Sequence, residues 1–290
     1  TTISASGQDV TLNTSTNNFA AAVGITGANV AVTDEDAIDL GASTVSGTYA
    51  ITAGGAVTDS GTQEITGVTT ISASGQNVTL DTSTNNFAAA VGITGANVAV
   101  TDEDAIDLGA STVSGTYAIT AGGAVTDSGT QEITGATTIS ASGQNVTLDT
   151  STNNFAAAVG ITGANVAVTD EDAIDLGAST VSGTYAITAG GAVTDSGTQE
   201  ITGATTISAS GQDVTLNTST NNFAAAVGIT GANVAVTDED AIDLGASTVS
   251  GTYAITAGGA VTDSGTQEIT GVTTISASGQ NVTLDTSTNN

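Results

Sequence analysis

The side chains in this sequence that could act as acids, bases or metal ligands are its 29 Asp and Glu residues, because Lys, Arg, His and Cys are all absent. Their densest grouping is Asp34-Glu35-Asp36 with Asp39, recurring as Asp102-Glu103-Asp104 with Asp107. Two chemistries suit such a cluster. Paired carboxylates do general acid–base work, as in glycoside hydrolysis. Hard oxygen ligands crowded into one turn suit calcium. The spacing matches neither an EF-hand loop nor the Gly-rich nonapeptide of calcium-binding β-rolls. Catalysis has a further obstacle, since no cation is present to hold an acidic sugar or shift a carboxyl group. The expectation is therefore a non-enzyme without a dedicated cofactor, with these eight residues as weak cation sites in a solvated acidic turn, loosely holding Ca²⁺ or other cations.

Absent residue types exclude more. Nucleophilic triads, Schiff bases and thiol chemistry need His, Lys or Cys. Nucleic-acid binding needs cations to neutralise phosphate, and binding to anionic lipid headgroups needs them too. The longest apolar run, Phe19 to Ile25, is too short to span a bilayer, so membrane insertion is not expected.

The elements that position these groups come from a repeat. TTISASGQ opens at Thr1, Thr69, Thr137, Thr205 and Thr273, a period of 68 residues. The expected organisation is one continuous solenoid over 1–290, with repeats 1–68, 69–136, 137–204 and 205–272 and a partial repeat 273–290. The array reads as a window from a longer one. Each repeat carries seven acids: when Asp9 becomes Asn77, Asn13 becomes Asp81. The same exchange moves an Asn-x-Ser/Thr sequon from Asn13 to Asn77. Three sub-patterns lie inside each repeat, led by Ile3, Ile25 and Ile51 at steps of 22, 26 and 20 residues. Each holds short alternating segments, such as Val10-x-Leu12, Val30-x-Val32 and Ile38-x-Leu40, bounded by Gly, Asn, Asp or Ser.

Strands of three residues cannot bury a face alone, so the coils must stack. The expected fold is an all-β parallel β-helix or β-solenoid with three coils per 68-residue repeat. A string of small β-sandwiches would leave the threefold pattern unexplained. The expected core is Ile3, Val10, Leu12, Phe19, Val23, Ile25, Val30, Val32, Ile38, Leu40, Tyr49, Ile51, Val57 and Ile65. The same alignment stacks Asp34 on Asp59, near Thr14, and treats Asn17-Asn18 as a turn or a partial Asn ladder. Stacking at about 4.8 Å makes a repeat about 14 Å long. Its linear charge density then approaches that of duplex DNA, and a diffuse cation atmosphere follows. Rows of Thr invite an ice-binding reading, which the uneven 22, 26, 20 rhythm argues against, since a regular face needs the same Thr on every coil.

The runs ITAGGAVTDSGTQEITG and GASTVSGTYAITAGG, together with TTISASGQ, resemble the repeat regions of large bacterial filamentous-haemagglutinin-like and β-strand-repeat surface adhesins. That resemblance covers essentially the whole chain. It implies a right-handed parallel β-helix, secretion to the cell surface, and a part in adhesion, biofilm or surface structure. The expected function is an extracellular rod or filament shaft, self-associating end to end or laterally into fibres. The alternative is an adhesive array engaging a glycan or cell surface many times over.

Overall fold

The computed structural model describes residues 1–285 and 289, so the end of the partial repeat 273–290 lies outside the described residues. The fold is an all-β parallel β-solenoid, and among the described residues there is no helix. About 14 turns are wound in total, within two compact units, Thr1–Gln144 and Asn145–Asn290.

In the first unit, each strand pairs in parallel with the strand one coil further on. Val10–Leu12 pairs with Val30–Asp34, which pairs with Tyr49–Ala53, which pairs with Thr69–Ser72, which pairs with Val91–Gly95. A second sheet runs from Ile38–Leu40 through Val57–Asp59, Val78–Leu80 and Val98–Asp102 to Tyr117–Ala121 and Thr137–Ser140. A third holds Thr2–Ser4, Gly24–Gly27, Ser43–Val45, Gln63–Ile65 and Asn86–Phe87. The second unit repeats this pairing: Val166–Asp170, Tyr185–Ala189, Thr205–Ser208 and Val227–Gly231 form one run.

Each repeat holds three coils, but their phase departs from the isoleucine alignment. Ile3 stacks on Ile25 as expected. Ile25 then faces Ser43, whose hydroxyl accepts its N–H at 3.1 Å, and Ile51 stacks on Val32. The 26-residue step conceals an extra strand, Ser43–Val45, so it exceeds one turn. Residues left over after three coils carry the next copy onto a different sheet. Thr69–Ser72 and its copy Thr137–Ser140 lie in separate sheets of the first unit, as do Val166–Asp170 and Val234–Asp238 in the second.

The core is a column of alternating side chains. Val10, Val23, Ile25, Val30, Val32, Ile38, Leu40, Tyr49, Ile51, Val57 and Ile65 are buried as expected. Ile3, Leu12 and Phe19 are only half-buried because the first coil is covered on one side; their copies Ile71, Leu80 and Phe87 are fully enclosed. The core also takes in Val45 and Ala53, and a polar set: Asp34, Ser43, Gln63, Thr69 and Asn85. Gln63 is bound by its amide nitrogen to the carbonyls of Gly41 and Gly61 at 2.9 and 2.7 Å. Such bonds tie corner backbone of one coil to the next and offset the cost of burying the amide.

Two kinds of glycine hold the corners. Gly75 has φ +71, a left-handed turn residue with open space around it. Gly122 has ordinary φ but lies against the preceding coil, where a methyl group would strike the Glu103 carbonyl, with that carbon 2.9 Å away. Gly122→Ala is therefore expected to cost about 3 kcal/mol, since backbone must move. Gly75→Ala should cost only about 1 kcal/mol, the strain of a left-handed alanine. Urea melts of the two variants check this order, and equal midpoints would contradict the close-packed corner.

Candidate functional site

The acidic corner is built by the turn after strand Val30–Asp34. Period-two alternation places Asp34 on the same side as Val30 and Val32, which is inward, and it is 1% exposed. Its two carboxylate oxygens accept the N–H of Phe19 at 2.8 Å and of Asp36 at 3.0 Å. The copy Asp102 does the same with Phe87 and Asp104, both at 2.8 Å. Glu35 and Asp36 point into solvent. Asp39 sits between inward Ile38 and Leu40 and faces out, accepting the Ser60 hydroxyl at 2.8 Å. Asp107 accepts the Ser128 hydroxyl in the same way, at 2.7 Å.

Asp34 thus departs from the expected solvated acidic turn, while Glu35, Asp36 and Asp39 keep to it. The buried member, Asp34, is a structural acceptor that ties a loop to the next coil. The four residues of each cluster diverge: alternation sends Asp34 inward and Asp39 outward, and Glu35 and Asp36 splay from the corner. Among the described residues, no three acidic side chains converge into a group that could hold a metal ion. Asp34 and Asp59 do not stack either. Asp34 lies opposite Ala53, and Asp59 lies opposite Leu40. Asp59 instead accepts the N–H of Asp81 at 3.0 Å and the side-chain amide of Asn85 at 2.6 Å.

Burial raises the Asp102 carboxyl above the ordinary aspartate range, opposed by the N–H bonds from Phe87 and Asp104 and reinforced by the charges of Asp104 and Glu103; Asp170 and Asp238 are raised for the same reasons. No cation compensates them, because the chain has no Lys, Arg or His.

Asn17 and Asn85 bond to other groups instead of building an Asn ladder. Asn17 donates to the Leu12 carbonyl at 2.9 Å, and Asn85 bridges Asp59 and Gln63. A side-chain ladder does run along another corner. Asp9 accepts from the Asn29 amide at 2.9 Å, and Asn29 accepts from the Thr48 hydroxyl at 3.2 Å. In the next repeat Asn77 replaces Asp9 and accepts from Asn97 at 3.0 Å. An Oδ1 acceptor is all this position needs, which is why Asp and Asn exchange there.

The buried tyrosines are a further group that titrates. Burial drives the Tyr49 and Tyr185 hydroxyls up to about 12, with Ser43 or Ser179 lowering them and Asp59 or Asp195 raising them. An unfolded chain loses these protons near pH 10. The native state keeps them, so stability falls as pH rises above 10. Phenolate absorbance is expected to appear cooperatively with loss of β-sheet circular dichroism. A smooth titration near 10 with the sheet intact would contradict the burial.

No curated protein and no solved structure matches this chain. One family does, over residues 1–26, 27–94, 95–162, 163–230 and 231–290, each interior match one 68-residue period long. With the matches covering the whole sequence, the chain belongs to the family described as repeats of unknown function (DUF5649).

Proposed function

We propose that this chain is the shaft of an extracellular structural rod or filament of a large bacterial surface protein, of the filamentous-haemagglutinin-like kind, without catalytic activity. The observation that carries this reading is the parallel register from coil to coil, in which each coil presents the pairing edge needed by the next. Such a chain can be lengthened by whole repeats without a new core being designed. Its acids face outward or cap backbone amides, giving a charged exterior with no Lys or Arg for trypsin to cut.

Electron microscopy of chains carrying two, four and eight repeats tests this. Particle length should grow in proportion to repeat number at about 4.8 Å per coil. Compact particles of constant aspect ratio would reject the shaft. A second reading, multivalent binding of a glycan or cell surface, draws on the return of the same exposed groups, such as Glu35-Asp36 and Glu103-Asp104, in every copy. Cell attachment that falls with each deleted repeat would favour it over the passive shaft.

A further inference from the structure

The uneven isoleucine rhythm argued against a regular Thr face, yet strand pairing builds one. In the first unit, Thr33, Thr52, Ser72, Thr94 and Thr112 lie on five successive coils in direct register. All five side chains face outward and are exposed or half-exposed. In the second unit, Thr169, Thr188, Ser208, Thr230 and Thr248 form the same file. Steps of 18 to 22 residues separate the members, but the differences are absorbed in the corners, so the strands stay aligned.

Three features set this file apart. Next to it, two residues back on each strand, runs a file of small groups: Ala31, Ala50, Thr70 and Gly92. No carboxylate points outward from these strands, although the chain carries 29 acids. The hydroxyls of Thr33, Thr52, Ser72, Thr94 and Thr112 are not engaged with other groups of the protein. Corner hydroxyls behave differently, with Thr48, Ser60 and Thr62 bound to Asn29, Asp39 and Thr84.

We propose that this uncharged hydroxyl face binds ice. Successive coils repeat at about 4.8 Å and alternate residues along a strand at about 6.7 Å, so the hydroxyl file and the small-residue file beside it set out a rectangular lattice of positions. That lattice is close to the spacing of oxygen atoms on faces of hexagonal ice. Stacked backbone holds the side chains in place before binding, and β-branched Thr has few rotamers to lose. Rival occupants fit less well. A sugar site of this size would be expected to offer an aromatic platform, and Tyr49, Phe87 and Tyr117 are all buried. Anionic surfaces find no cation on the face, and a cationic one finds no acid before Glu132, which follows Thr112 in register on the next coil. The proposal does not depend on the shaft reading, since length and ice affinity are measured separately.

The test uses the 290-residue chain and three measurements: thermal hysteresis, ice-crystal shape and inhibition of recrystallisation. The wild type should shape crystals and show hysteresis. Copies of the file lie on the other sheet of each unit, as Thr101, Thr120 and Ser140 and as Thr237, Thr256 and Ser276. A fourfold variant with Thr52→Lys and Thr188→Lys in the first two files and Thr120→Lys and Thr256→Lys in these copies should lose at least tenfold of that activity. A control with Ser15→Lys, Ser83→Lys, Ser151→Lys and Ser219→Lys, in exposed loops, should keep it. Circular dichroism verifies that both variants fold. Wild-type protein that leaves ice growth unchanged overturns the proposal, whatever the variants do. So does a folded fourfold face variant as active as the wild type, or retention by a neutral polysaccharide with no effect on ice.

Discussion

Acidification from pH 7 toward the ordinary carboxylate range is expected to raise the melting temperature of this protein, the reverse of ordinary acid denaturation. Acid usually unfolds proteins by protonating carboxylates that are paired with cations in the native state. Here there are no Lys, Arg or His residues, so no side-chain ion pair exists to be lost. Asp102, Asp170 and Asp238 are held above their unfolded value by burial. Between the unfolded and folded values, the native state binds protons that the unfolded chain does not. Stability therefore increases as pH falls through the folded value and levels off below the unfolded one. Above the folded value the penalty of keeping these carboxylates charged is fully present.

Repulsion among the other carboxylates works in the same direction. Seven acids per three-coil repeat hold like charges closer than a Debye length of about 8 Å at physiological ionic strength, and the unfolded chain spreads them further apart. Added NaCl should consequently raise the melting temperature at pH 7, and divalent cations should do so at lower concentration. The salt effect should shrink only as the pH is brought down into the ordinary carboxylate range, about 4. Calorimetric scans at two salt concentrations and three pH values check both. A melting temperature that drops on acidification, or ignores salt at pH 7, would contradict the uncompensated charge.

The second large effect concerns a buried aromatic ring. Phe87 is 1% exposed, and its N–H is anchored by Asp102. Phe87→Ala should cost about 3–5 kcal/mol, from lost transfer energy and a cavity that rigid neighbouring coils cannot collapse. Phe19 is the same residue of the repeat in the half-covered first coil, also anchored, by Asp34. Phe19→Ala should cost less than half as much, because its ring already meets water. Since each coil touches only its neighbours, the damage should remain local. Hydrogen exchange should quicken in the coils around residue 87 while coils near residue 223 stay protected. Uniform loss of protection throughout the chain would show a single cooperative unit instead.

The inward pattern was legible from residue spacing. Val10-x-Leu12, Val30-x-Val32 and Ile38-x-Leu40 name one side of each strand, and a 68-residue period with strands this short requires stacking. Applied two residues further along each strand, the same period-two rule places Asp34 with Val32, and Gln63 with Ile65. Both were hidden by the habit of reading polar residues as exposed. What made their burial affordable lies in other coils: the N–H groups of Phe19 and Asp36 for Asp34, and the Gly41 and Gly61 carbonyls for Gln63.

Composition by itself determined the absence of cations, and with it the sign of every electrostatic effect described above. Repetition determined that the coils stack. Register was decided only by the tertiary structure, because hydrogen bonds between coils align strands while corners take up surplus residues at little cost. That is why Ile51 came to rest on Val32, why the Ser43–Val45 strand escaped the isoleucine rhythm, and why unevenly spaced threonines form one straight file.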